Sequence, residues 1–171
     1  MIILHDKDKN YTMKFIFPNQ FFYAQQFDVK ENTKNGSPIV DIVAENENAI
    51  YFIEAKNFVN YSPDIGKQEL MDKQQNDSIN ELRNSVNYAH KIIRKLEHSL
   101  FVWIADKNNI AKPVYMVLAF NMPSGFKSRE RLRLIDRLNG YLPSGVVNSG
   151  IIFDMPELEN IRYGFTVSLI T

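Results

Sequence analysis

Two strand-like runs early in the chain carry charge where a half-buried strand favours apolar residues. Asp41 interrupts the Ile and Val run of "PIVDIVAE", and "AIYFIEAKNF" closes on Glu54-Ala55-Lys56. Side chains alternate faces along a strand, so Glu54 and Lys56 share one face and Ala55 takes the other. Pairing of the two runs across a short turn around Asn46 to Asn48 would bring Asp41 beside Glu54. Two neighbouring carboxylates repel, and each raises the other's pKa unless a cation lies between them. Oxygen ligands of this kind suit a hard divalent ion, magnesium or manganese. A lysine beside such an ion can hold or deprotonate a water, or stabilise charge developing on a phosphate. The chemistry would then be metal-assisted hydrolysis of a phosphodiester.

The same residues admit a plainer reading, an inter-strand salt bridge of Lys56 with Asp41 or Glu54, which contributes little. An acid two residues before a lysine arises by chance about once or twice in a chain of this composition, and Asp28-Val29-Lys30 is a second copy here. Context separates the two. Lys30 enters a polar turn, whereas Glu54-Ala55-Lys56 ends a long apolar strand preceded by a strand with its own aspartate.

The elements that must position these residues can be read from the rest of the sequence. At 171 residues, 44% hydrophobic and 23% charged, the chain has the size and composition of a single soluble domain spanning residues 1–171. It has no cysteine, which excludes disulfides, thiol nucleophiles and zinc-thiolate sites and fits a cytoplasmic protein. No apolar run has the length of a membrane span, and "MIILHDKDKN" lacks the basic start of a signal peptide. Lys plus Arg and Asp plus Glu balance at 20 each, so net charge gives no prior for a nucleic-acid partner. Two basic clusters stand out locally, "HKIIRK" with Lys91, Arg94 and Lys95, and "FKSRERLRLIDR" with Lys127, Arg129, Arg131, Arg133 and Arg137. Either can contact phosphates or form a solvated helix face.

The first third reads as strands: "YTMKFIF", then "FFYAQQFDV", "PIVDIVAE" and "AIYFIEAKNF", the last three as an antiparallel meander. Ser78 and Glu81 have the spacing of a capping box, ahead of an apolar stripe of Ile79, Leu82, Val86, Ala89, Ile93 and Leu96. Pro63 to Gln75 reads as an earlier helix with Ser62 as its cap. "SLFVWIAD" has strand composition, but Leu100 and Trp103 keep the helical phase, and the run is expected to be helical. "VYMVLAF" reads as a strand buried on both faces, and "KSRERLRLIDRL" as a helix stopped at Asn139-Gly140. "GIIFD" and "YGFTVSLIT" are closing strands. The fold class is α/β, a mixed central β-sheet flanked by helices. His5, His90 and His98 share no metal-binding spacing, and the last two read as helix-surface residues. Phe58 and Tyr61, just past the lysine, read as core or as stacking partners for a base.

The stretch from Pro38 to Lys56 resembles the signature of the PD-(D/E)XK, or restriction-endonuclease-like, nuclease superfamily. In its wording the stretch looks most like Holliday-junction resolvases. The resemblance implies a restriction-endonuclease-like core and a magnesium- or manganese-dependent endonuclease acting on DNA. It implies Asp41 and Glu54 as metal ligands, the Ala55 carbonyl as a further one, and Lys56 as the catalytic lysine. Ser37 resembles a loop serine of that family and joins Lys127, Arg129, Arg131 and Arg133 as expected nucleic-acid contacts. A catalytically inactive member that binds nucleic acid or protein is the alternative. The family usually opens with a helix bearing another acid, and no helix pattern precedes Tyr23 here. Asp6, Asp8, Asp28 and Glu31 are the acids available, and Gln68, Gln74 and Gln75 are candidate polar partners beyond the lysine. A small domain that cuts both strands of a duplex needs two sites on a two-fold axis, hence a homodimer; a nicking or exonuclease domain can stay monomeric.

Overall fold

A computed structural model of the chain describes residues 1–8, 11–28, 38–57, 80, 85–107, 111–121, 128–142, 147–154 and 164–170. Alternation along the strands decides how its layers stack. The main sheet has five strands in chain order: β3 (Phe21–Gln26), β4 (Ile42–Asn46), β5 (Ile50–Asn57), β6 (Val114–Asn121) and β7 (Val147–Asp154). The first three form the expected antiparallel meander, and β5, β6 and β7 run parallel. The turn between β4 and β5 closes on Asn46, whose Oδ1 accepts the N–H groups of Asn48 and Ala49, both at 2.9 Å. Parallel neighbours need long crossovers. The β5–β6 crossover carries α1 (Ser85–Lys107), and the β6–β7 crossover carries α2 (Ser128–Tyr141).

One face of the main sheet, with Val43, Ile50, Phe52, Met116, Leu118 and Phe120, packs on these two helices. The other face, with Ile42, Ala44, Tyr51, Ile53, Val117 and Ala119, packs on a second sheet. That sheet is antiparallel, ordered β1 (Ile2–Asp8), β2 (Tyr11–Phe17) and β8 (Thr166–Ile170). From β2 it contributes Met13, Phe15 and Phe17, all fully buried. Gly164, at φ +76°, turns the chain into β8, and a Cβ there would collide with the Gln20 side chain.

The mixed α/β class expected from the sequence is the one observed. Among the described residues the helices lie on one face only, and the flanking layer on the other is a sheet. The helix that the nuclease resemblance places ahead of the meander is not among the described elements; β1 and β2 precede β3. β1 itself was not expected. "SLFVWIAD" is helical as assigned, the end of a long α1. The buried stripe of α1 runs through Tyr88, Ala89, Ile92, Ile93, Leu96, Leu100 and Trp103, while Val86, in the first turn, stays exposed. α2 continues through Asn139-Gly140 to Tyr141, since Gly140 does not take the positive φ of a helix-ending glycine, and the Leu142 N–H closes the end on the Leu138 carbonyl. The Ser78–Glu81 box, Ile79, Leu82 and the helix expected over Pro63 to Gln75 lie outside the described residues. Neither described helix is long and apolar enough to cross a membrane.

Candidate active site

The β4–β5 register pairs Ile42 with Ile53, which sets Asp41 opposite Glu54. Alternation then turns both carboxylates towards α1, on the face shared by Val43 and Phe52. The site lies where β5 and β6 end and β4 begins, and clefts at the carboxyl ends of parallel strands are where open α/β sheets bind ligands. The Asp41 Oδ2 accepts the Ala55 N–H at 2.6 Å, which ties the first strand's acid to the second strand's backbone. Lys56 projects beside Glu54, with its Nζ 5.8 Å from the centre of the Tyr88 ring. Asn121 donates to the Asn57 Oδ1 at 2.7 Å and joins the strand ends below the site.

The charge that completes this cluster comes from α1. Lys95 Nζ lies 2.5 Å from Glu54 Oε1 and 4.0 Å from Asp41 Oδ1. One turn later Ser99, fully buried, accepts the Val40 N–H at 2.9 Å and donates to the Lys95 carbonyl at 2.7 Å. This serine pins that turn of the helix to the residue before Asp41. Lys95 was legible only as one cation of a basic cluster. The signal that singles it out is phase, because Tyr88, Lys95 and Ser99 follow one another at helical spacing along the inward stripe.

Burial pushes the Asp41 carboxyl well above the usual carboxylate range, and Glu54 opposite it adds to the shift. The Lys95 ammonium and the Ala55 N–H pull the other way. Burial raises Glu54 too, against Lys95 and Lys56. Lys56 is lowered by burial, partly offset by Glu54 and reinforced by Lys95 and Lys91. For Lys95 burial works against the charge, yet Glu54 and Asp41 outweigh it and its pKa is raised. Asp6 pushes both carboxyls further up. It lines an open groove of ≈ 520 Å³ with Ile3, Leu4, His5, Lys7, Gln26 and Asp28 at the same end of the sheet.

No protein-family model matches the chain, and no curated protein or solved structure is significantly similar to it.

The functional reading therefore rests on the site's own chemistry. Two buried carboxylates face each other, and Glu54 Oε2 is buried with no hydrogen-bond partner among the described residues. A lone buried carboxylate oxygen is costly to leave unpartnered, and an incoming hard cation would satisfy it. The donor set thus fits a divalent ion held by two carboxylates. Among the described residues no group of three or more His, Asp or Glu side chains is placed to hold a metal.

Of the other expected site residues, Arg133 is on the exposed side of α2, which packs on α1 and β7. Arg129 and Arg131 belong to the same helix, in a part whose side chains are not described. Ser37 and Lys127 lie outside the described residues, as do Glu31, Phe58, Tyr61, Gln68, Gln74 and Gln75. His90 and His98 are exposed on α1, as read from the sequence.

The raised pKa of Asp41 has a direct consequence for stability. The folded protein holds this proton to higher pH than the unfolded chain does. The stability linked to it is full below the unfolded carboxylate pKa and is lost as pH rises through the raised value. Asn mimics the protonated form and can still accept the Ala55 N–H. Asp41→Asn is expected to match the wild type near pH 4 and to be more stable by about 1 kcal/mol near pH 8 without metal. Urea denaturation at the two pH values measures this, and a variant less stable at the higher pH would contradict it.

Proposed function

We propose that the chain is a divalent-metal-dependent nuclease that hydrolyses phosphodiester bonds in DNA. The observation that carries this reading is the buried Asp41–Glu54 pair, with one oxygen unpartnered and Lys56 on the same face. It agrees with the resemblance of residues 38–56 to the PD-(D/E)XK nucleases. Magnesium or manganese bound there would polarise the phosphate and acidify a water. Asp41 and Glu54 would hold the ion, and the Ala55 N–H keeps the Asp41 carboxylate turned towards Glu54. The lowered pKa of Lys56 brings its amine nearer to accepting a proton from the attacking water at neutral pH. Once protonated, Lys56 is an ammonium beside the charge developing on phosphorus. The basic residues of α2, Arg129, Arg131 and Arg133, with Ser37 and Lys127, are the proposed contacts to the DNA backbone.

Lys95 favours a second reading. Its ammonium already occupies Glu54 Oε1, as expected of a catalytically silent member of the fold that binds nucleic acid or protein without cutting. The two readings separate in one assay. Linear, nicked, branched and single-stranded DNA, with RNA alongside, are incubated with the protein with and without magnesium or manganese. A nuclease cleaves at least one of these only with metal, and Asp41→Ala and Lys56→Ala abolish cleavage. Retarded mobility with no cleavage supports the silent reading. Cleavage that survives Asp41→Ala refutes the proposed site. Light scattering on the same samples reports whether the cutter is a C2 dimer, for which Phe101, Ile104 and Leu132 supply exposed apolar surface.

A further inference from the structure

Lys95 is a built part of the site, since Ser99 fixes its turn of α1 against the residue before Asp41. It is also the component best able to leave. Its side chain keeps 28% of its surface exposed, against 8% for Glu54 and 15% for Asp41. A lysine tip on a flexible stem can swing into water, where an ammonium is well solvated. The two acids are fixed in the sheet and cannot follow it. The ammonium brings one positive charge to two carboxylates and leaves Glu54 Oε2 without a partner among the described residues. A divalent ion would bring two charges and engage that oxygen.

We propose that Lys95 is a tethered counter-ion of the Asp41–Glu54 pair, holding the two acids together in the metal-free protein and yielding to an entering divalent cation. Lys95 then sets the metal affinity of the site. This inference rests on the metal-dependent reading above. A tethered competitor weakens apparent affinity by the fraction of time the site is clear of it. With the site clear about 1–10% of the time, removing the ammonium tightens binding by about ten- to a hundred-fold.

The test is manganese binding followed by calorimetry, with electron paramagnetic resonance reporting the ion's ligands. The samples are the wild type, Lys95→Met, Lys95→Arg and an Asp41→Asn/Glu54→Gln double variant. Lys95→Met is expected to bind at least tenfold more tightly than the wild type, Lys95→Arg no more tightly, and the double variant not at this site. Equal or weaker binding by a folded Lys95→Met, with the wild type binding, overturns the counter-ion role and leaves the metal site standing. Absence of binding in both overturns the metal reading and this inference with it. Removing the ammonium leaves two buried carboxylates uncompensated, so a second measurement uses the unaltered protein. Acetylation of Lys95, read by mass spectrometry, should be several-fold faster in saturating magnesium than without metal. An unchanged rate in magnesium shows that the ammonium is not displaced and refutes the proposal whatever the variants do.

Discussion

Glu54→Gln is expected to lower metal-dependent cleavage by at least about a thousand-fold, the scale on which losing one key electrostatic group from an active site is felt. It should also destabilise the metal-free protein by about 2 kcal/mol. Both effects have one origin. Glu54 is the acid that Lys95 grips, at 2.5 Å against 4.0 Å for Asp41. The amide keeps the shape of the side chain but removes the charge, leaving an ammonium with a more distant partner and a buried NH2 in place of Glu54 Oε2. Removing a carboxylate whose pKa burial has raised returns part of the loss, as does relief of the repulsion with Asp41. Neither supplies an acceptor for the buried NH2 nor a close partner for Lys95. Asp41→Asn should be equally inactive yet no less stable. Melting of the two variants side by side therefore tests the asymmetry of the site. A shift of about 4–8 °C confined to Glu54→Gln is expected for a chain of this length, and equal shifts would mean that Lys95 serves both acids alike.

Trp103→Ala is expected to cost about 3–5 kcal/mol, enough to unfold a large fraction of a marginally stable domain. The indole is 2% exposed. It meets the rings of Tyr23, Phe52 and Phe27 at centroid distances of 5.3, 6.2 and 6.4 Å. Tyr23 is on β3 and Phe52 on β5, the strand of Glu54. Phe27, just after β3, donates its N–H to the Asp41 carbonyl at 2.7 Å, so the residue ties α1 to β5 and to the neighbour of Asp41. Urea denaturation should show the loss. A cost below about 1 kcal/mol would mean that the layer re-packs around the cavity.

The meander was legible because its signals are local. Polar turns bound each run, and the Asn46–Asn48 turn is short enough to leave one sensible register, which places Asp41 across from Glu54. β6 was legible from a short, unbroken apolar run rich in Val, Tyr and Phe, which suits a strand covered on both faces. β1 was missed because its second half, "HDKD", has the charges of a loop; only the small sheet makes it a strand. That sheet depends on β8 pairing with β2, a contact too distant in sequence for periodicity to register. Lys95 was hidden for a related reason. It sits among other cations, and its partner is 41 positions away. Helical phase puts Lys95 one turn from the buried Ser99, but nothing local names a carboxylate as the thing it meets.

The pairing of β2 with β8 also bears on how the chain is made. Thr12 is matched to Ile170 and Ile16 to Thr166, so a strand synthesised early must wait for one synthesised late. At ordinary translation rates that interval is roughly 8–30 s. Through it the nascent protein presents one edge of β2 with unpaired backbone groups and with Met13, Phe15 and Phe17 on its inner side. Open apolar edges of this kind invite pairing between chains. β1 guards the other edge from the start, and its charged half, His5 to Asp8, discourages lateral stacking there. On the ribosome the vulnerable side of this protein is therefore the outer layer, while the strands bearing Asp41 and Glu54 need only wait for the following helix and strand to emerge.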